Sequence, residues 1–295
     1  MSPVAFALRH PLTLTLILIG ACTVGFALVY RTVLIDLVKF QWWRHYDDSA
    51  FRSGYVEHRG ASLYFESHGK GSPVLLLHGG LSSQDVFFAQ LPALAQQHQV
   101  IAIDLRGQGR SSMGDLSLDY SLLAEDIDAV LQALDISQAR VIGWSDGGIT
   151  GLILALRYPA RVHSLFALGA NFRASGLTEE TKQAIKAGLP ASESLLSKAL
   201  YALYSPHPRR WQRLWRELKH MWLNGPELSH ADLASIQQEI WVVVGEHDNV
   251  SLAHSKEMVG ALANTRFVLI HDAGHNLLIE KPTAMRELMM DFVNR

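Results

Sequence analysis

The chain has 295 residues, 48% of them hydrophobic and 18% charged, which is enough apolar surface for one large core and too much for a disordered segment or a small disulfide scaffold. Its 26 basic and 28 acidic side chains leave a formal net charge of -2, so the strongly basic field by which nucleic-acid binders collect phosphates is missing. Cys22 is the only cysteine, which rules out an intrachain disulfide framework and a cysteine-based metal site.

From Leu12 to Tyr30 the sequence LTLTLILIGACTVGFALVY carries no charge. At about 1.5 Å per residue such a run is long enough to cross a hydrocarbon core as one transmembrane helix. Arg9 and Arg31 bracket it, and Trp42 and Trp43 follow at a distance suited to interfacial anchoring. The expectation is a single-pass membrane anchor over 1–31. A juxtamembrane linker follows over 32–53, where Val33, Leu34, Leu37, Val38 and Trp42 recur at helical spacing. Two other readings stay open. One is a cleaved signal peptide, although no small-residue cleavage site follows the run. The other is lipidation at Cys22, since LIGAC resembles a lipobox although the run continues beyond it. Arg31, Lys39 and Arg44 on one side and Arg9 on the other leave the side of the membrane undetermined.

Beyond residue 50 short β-rich runs alternate with amphipathic stretches, the sequence form of βαβ units around a mostly parallel sheet. YVEH (55–58) and SLYFESH (62–68) read as a leading antiparallel pair. VLLLH (74–78), VIAID (100–104), RVIGW (140–144), HSLFALG (163–169), IWVVVG (240–245) and RFVLIH (266–271) read as strands apolar enough to be covered on both faces. Helices are predicted at 84–97, 119–134, 147–158, 251–263 and 280–293. The α/β core is thus expected in two parts, 54–170 and 237–295.

Between them, 171–236 has no convincing strand and reads as a helical cap. Its clearest piece runs from Pro208 to Leu223, where Trp211, Leu214, Trp215, Leu218 and Trp222 share one face and Arg209, Arg210, Arg213, Arg216 and Lys219 the other. Such a helix packs its tryptophans on the sheet domain with solvated arginines outside, or lays its basic face on an anionic membrane surface. Gly107-Gln108-Gly109 lacks the third glycine of a dinucleotide fingerprint, and His271 and His275 lack the helical face of a zinc pair. No metal or cofactor is implied.

The chemistry is carried by Gly143-Trp144-Ser145-Asp146-Gly147, set between the strand RVIGW and the apolar helix ITGLILAL. Strand, G-x-S-x-G and helix together make a sharp turn that lifts a serine hydroxyl above the sheet edge. A serine needs a base to become a nucleophile. His275, in a glycine-bearing loop after the last strand, is the candidate, and Asp248, after the preceding strand, is the acid that would orient it. The expected oxyanion donors are the amides of Asp146 and Gly80, with Leu81 next. Leu81, Trp144, Trp211 and Trp215 are the candidates to line a substrate pocket.

In order along the chain, HGG (78–80), DLRGQGRSS (104–112), GWSDGG (143–148), GEHD (245–248) and AGH (273–275) resemble the α/β-hydrolase superfamily from about residue 54 to the C-terminus. The resemblance implies an α/β-hydrolase fold, with an eight-stranded mostly parallel sheet and a helical cap insertion. GWSDGGIT is similar to the corresponding segment of the valacyclovir-hydrolase (biphenyl hydrolase-like) group, which implies that the Asp146 carboxylate helps bind a substrate α-amino group. A serine at 145 argues against the dehalogenases and epoxide hydrolases of this fold, which place aspartate there. The function expected is a membrane-anchored serine hydrolase that cleaves a small-molecule ester or related acyl bond through an acyl-serine. Alternatives are an aminoacyl-ester hydrolase and a non-catalytic ligand-binding receptor or scaffold on the same fold.

Overall fold

A computed structural model of the chain describes residues 51–188 and 191–295, together with 35–36, 38–40 and 42–44. The expected membrane anchor over 1–31, Cys22 included, lies outside the described residues, as does much of the linker. Among the described residues no helix is long and apolar enough to cross a membrane. The chain divides into two compact units, Met1–Tyr46 and Asp47–Arg295. The first is helical where it is described, with the rings of Phe40 and Trp43 stacked 5.9 Å apart.

In the second unit every predicted strand forms. They are β1 (Arg52–His58), β2 (Ala61–His68), β3 (Pro73–Leu77), β4 (Gln99–Ile103), β5 (Ala139–Trp144), β6 (Val162–Leu168), β7 (Glu239–Gly245) and β8 (Thr265–Ile270). They make one eight-stranded sheet in the order β1-β2-β4-β3-β5-β6-β7-β8. β1 and β2 pair antiparallel and β2 pairs antiparallel with β4, while β3 to β8 run parallel. The interior strands are buried from end to end because helices cover both faces of a parallel sheet. β8 was expected to be covered likewise, but it is half-exposed, because it closes the sheet as an edge strand with a neighbour on one side only.

The helices are α1 (Leu91–Leu94), α2 (Tyr120–Ala133), α3 (Asp146–Arg157), α4 (Glu179–Ala187), α5 (Ala191–Tyr204), α6 (Trp211–Asn224), α7 (His230–Ser235), α8 (Leu252–Ala261), α9 (Leu277–Glu280) and α10 (Pro282–Val293). One predicted helix is broken by proline: the stretch 84–97 forms a 3-10 turn at Gln84–Phe87 and then the short α1. The helix predicted at 280–293 forms as α10, with the short α9 set apart before it. Pro92 and Pro282 have no N–H to continue a preceding helix but fit the first turn of a new one. The segment between β6 and β7 holds α4 to α7 and no strand. In α6 Trp211, Leu214, Leu218 and Met221 are buried and join the core, so its apolar face packs on the protein.

Because β3, β5, β6, β7 and β8 are parallel, their C-terminal ends lie along one edge of the sheet. The loops after them carry the residues that matter below.

Candidate active site

Ser145 follows the last residue of β5 and caps α3 with φ 54° and ψ -118°, a left-handed conformation that is strained for any residue with a Cβ. The flanking glycines make that turn possible. A Cβ on Gly147 would lie 2.1 Å from the Leu77 carbonyl oxygen, and one on Gly143 would lie 2.3 Å from the Gly147 oxygen.

His275, in the loop after β8, sets Nε2 3.0 Å from Ser145 Oγ and Nδ1 2.7 Å from Asp248 Oδ1. A carboxylate can only accept, so Nδ1 carries the proton and Nε2 presents its lone pair to the serine hydroxyl. The Asp248 side chain is fully buried, and its oxygens also accept the amides of Val250 at 3.1 Å and Gly245 at 3.3 Å. These bonds hold the acid in the orientation that fixes the imidazole.

Asp146, the residue after the serine, is buried, and its carboxylate accepts the Tyr120 hydroxyl at 2.8 Å and the Trp222 indole N–H at 2.9 and 3.0 Å. Burial raises its pKa, while the bonds from Trp222 and Tyr120 oppose that shift. Burial and the neighbouring Asp146 together push the Tyr120 hydroxyl well above its ordinary range. A Cβ on Gly80 would fall 2.4 Å from the Trp222 ring and 2.6 Å from Asp146 Oδ2. The oxyanion-side loop, the carboxylate and the cap tryptophan therefore meet at one point.

The other expected residues take distinct places. Leu81 is left-handed at φ 57°, and its amide donates to Gln108 Oε1 at 2.6 Å. Among the described residues the amides of Gly80 and Asp146 donate to no group of the chain. Trp144 is 7% exposed, donates its indole N–H to the His275 carbonyl at 2.9 Å, and lies 5.7 Å from that imidazole. It holds the histidine loop instead of offering a polar group to a pocket. Trp211 is buried against Tyr201, with ring centroids 5.6 Å apart, and Trp215 meets Trp222 edge-on at 5.9 Å.

Sequence reasoning missed Tyr120, Gln108 and Gly169. A Cβ on Gly169 would lie 3.0 Å from the His275 ring, so glycine there makes room for the base. The only signal for Gly169 is its place just after a strand, and neither Tyr120 nor Gln108 has a signal of its own. Among the described residues no group of three or more His, Cys, Asp or Glu side chains converges to hold a metal ion. A cavity of about 450 Å³ lies elsewhere, against Tyr120, Ile153, Arg157, Pro226 and Asp232. The chemistry belongs at Ser145, because reactivity follows the nucleophile–base pair and not cavity volume.

Comparison with known proteins identifies the family of the fold. A family model described as the alpha/beta hydrolase fold matches residues 72–282. Serine hydrolase BPHL of Homo sapiens is 31% identical over 253 residues, covering 82% of this chain and 86% of that protein. A protein of Azorhizobium caulinodans described as a carbamate hydrolase, RutD, is 37% identical over 153 residues, so the match spans 51% of this chain and 57% of that relative. Among solved structures, the meta-cleavage product hydrolase CumD of Pseudomonas fluorescens IP01 superimposes with a TM-score of 0.71 at 23% identity, over 81% of this chain and 97% of that chain. That last likeness concerns the fold alone.

Proposed function

The chain belongs to the α/β-hydrolase family and is a serine hydrolase, and from that premise we propose that it cleaves carboxylic esters or related acyl bonds of small molecules through an acyl-Ser145 intermediate. The observation that carries the reading is the unbroken run of hydrogen bonds from Ser145 Oγ through His275 to Asp248. In the first step Ser145 Oγ attacks the acyl carbon while His275 Nε2 takes its proton, and Asp248 stabilises the imidazolium that results. The amides of Gly80 and Asp146 receive the developing oxyanion. Collapse expels the alcohol, which takes the proton back from His275. Water, activated by the same imidazole, then releases the acid and regenerates the serine. The reaction needs only these side chains, amides and water.

An active-site-directed fluorophosphonate tests this directly. The wild-type protein is expected to label covalently, and Ser145→Ala and His275→Ala are expected to lose labelling while remaining folded. Equal labelling of wild type and Ser145→Ala would sink the assignment. Folded wild type that does not label but binds ligand stoichiometrically would favour a receptor.

A narrower reading, that the substrate is an aminoacyl ester, is favoured by one observation. The buried Asp146 carboxylate is held only by neutral donors, the Tyr120 hydroxyl and the Trp222 indole. A substrate ammonium would give it the cation that a buried carboxylate calls for. Asp146→Asn keeps the backbone amide and removes the charge. It is expected to lower kcat/KM by about 10- to 100-fold on amino esters, the worth of one charge-assisted hydrogen bond, and by far less on plain esters. Equal losses on both substrate classes would remove this reading.

We further propose that the enzyme is anchored in a membrane by the segment Leu12–Tyr30, which is supported by its length and lack of charge. Extraction of membranes with alkaline carbonate tests the anchor: an embedded chain stays in the pellet, and a peripheral or processed one is released.

A further inference from the structure

The cap helix α5 has two apolar faces, of which the protein covers one. Tyr201 is buried against Trp211, and the Tyr204 ring lies 4.6 Å beneath the Arg110 guanidinium, so this face fastens α5 to the body of the protein. On the opposite side Leu195, Ala199, Ala202 and Leu203 fall at i, i+4, i+7 and i+8, and all four are exposed. Leu203 and Leu195, at 73% and 72% exposure, are the most exposed large apolar side chains among the described residues. Water around such a stripe is unfavourable, and a contiguous apolar patch of this kind marks an interaction surface.

The charge around the stripe indicates what covers it. The chain as a whole is slightly acidic, yet residues 191–219 carry six cations, Lys198, Arg209, Arg210, Arg213, Arg216 and Lys219, against Glu193 and Glu217. Arg210 and Arg213 are drawn to the Gly114 carbonyl and the neighbouring Asp115, and Lys219 to the Lys186 carbonyl. Lys198, Arg209 and Arg216 are left on the exposed surface of the cap. Exposed leucines with Lys198 one turn away on the same helix, and Arg209 on the short turn Pro208–Arg210 that packs on that helix, match the two layers of an anionic bilayer surface, acyl chains below and phosphate headgroups above. The uncharged run Leu12–Tyr30 ends only about twenty residues before β1, a length that at ~3.3 Å per residue keeps the catalytic unit within several tens of ångströms of the bilayer holding that run. The amphipathic helix α6 does not fill this role, because its apolar face is spent on the core.

We propose that the exposed stripe of α5 docks on an anionic lipid surface and inserts its leucines beneath the headgroups. The proposal takes from the anchored reading only the nearness of a bilayer. Docking would hold the cap, and with it Trp222 over Gly80, at the membrane, where apolar esters partition.

The test uses the full chain with Cys22→Ala, reconstituted in nanodiscs of phosphatidylcholine and phosphatidylglycerol at about 3:1 or of phosphatidylcholine alone. An environment-sensitive fluorophore is attached at Ala202→Cys on the stripe or at Ser137→Cys, an exposed position beside the N-terminal end of β5 and so at the sheet edge away from the cap. Doxyl-labelled lipids are expected to quench the Ala202→Cys probe at least ~3-fold more than the Ser137→Cys probe, and more strongly in anionic than in neutral discs. Leu195→Asp with Leu203→Asp is expected to bring quenching down to the control, with fluorophosphonate labelling intact as proof of folding. Equal quenching at the two positions, in discs from which carbonate does not extract the chain, overturns the docking proposal and leaves the anchor standing. Release by carbonate, with Ala202→Cys still quenched when anionic vesicles are added, supports docking and overturns the anchor. Energy transfer between labelled copies, or cross-linking of position 202 to residues 12–30, shows that protein covers the stripe and overturns the proposal.

Discussion

Gln108 shows how a residue remote in sequence can set the geometry of a reacting loop. Its Oε1 takes the Leu81 amide, and Leu81 holds a left-handed conformation that a leucine rarely adopts, so the bond offsets backbone strain next to the proposed oxyanion donor Gly80. The Gln108 side chain is buried, and among the described residues its Nε2 has no partner, which leaves a donor beside the loop. Gln108→Ala frees the Leu81 amide and lets the loop relax. The expected effect is a fall in kcat of about 10-fold or more with a smaller change in KM, because donors aimed at an oxyanion act on the transition state more than on the bound substrate. Steady-state kinetics on one ester, with a melting curve for each protein, check this. An unchanged kcat would show that the glutamine is packing only. The same scale explains what the sequence conceals. Ser145, Asp248 and His275 can be picked out because each follows a strand end and belongs to a motif, whereas Gln108, Tyr120 and Gly169 matter through approaches made only after folding. Tyr120 meets Asp146 from twenty-six residues away, the first residue of α2 against the first of α3.

At the scale of elements, the loop after β4 is bolted to the rest of the sheet domain by a buried ion pair. Arg106, fully buried, donates Nε to Asp126 Oδ2 at 2.7 Å and Nη2 to Oδ1 at 2.5 Å, and also to the His58 carbonyl at 2.9 Å. β1, the β4 loop and α2 are thereby joined at a single guanidinium, and the His58 ring adds a bond of 2.8 Å to the same carboxylate. Asp126→Ala leaves that guanidinium buried and uncompensated, a change that costs about 3–5 kcal/mol. Urea unfolding followed by tryptophan fluorescence is expected to show the loss as a lower midpoint at constant slope, and a midpoint within error of wild type would refute the account. Elements were legible to the extent that their periodicity was clean. The strands β3 to β7, with a neighbour on each side, read as apolar runs because helices cover both faces, and β8 read the same way although it forms an edge. The one misjudged helix, 84–97, contains Pro92, which periodicity ignores and backbone chemistry does not. The cap was recognisable by its lack of strands, but the solvent-facing leucines of α5 were not, since a second apolar face on a helix looks the same in sequence whether the core or the solvent meets it.

For the molecule as a whole, buried titratable groups of opposite kind set the response to acid. His78, fully buried, has its pKa pushed down from 6.5 to about 4 by burial; its Nδ1–H donates to the Gly79 carbonyl, and its Nε2 accepts the Leu105 amide. Burial lowers His254 to about 4 in the same way. Asp104, also fully buried, goes the other way, from 3.8 to about 6, again through burial and despite the amides of Arg110 and Gln84. Burial raises Asp146 as well. A histidine whose folded pKa is depressed contributes stability that is present above 6.5 and lost as pH falls toward 4, because the unfolded chain then binds the proton first. A carboxylate whose folded pKa is raised does the reverse: its penalty is absent below 3.8 and complete above 6. Between pH 4 and 6.5 the two kinds oppose one another, so the wild-type slope alone does not report either. Differences between variants do. The stability of wild type minus that of His78→Asn is expected to rise by about 3 kcal/mol between pH 4 and pH 7. Wild type minus Asp104→Asn is expected to fall by a similar amount, about 3 kcal/mol, over the same interval. Chemical denaturation of the three proteins at several pH values measures both differences. Two differences of the same sign would mean that one of the two groups is shifted opposite to the direction that burial gives it, and a flat difference would mean that its group keeps the ordinary pKa in the folded state.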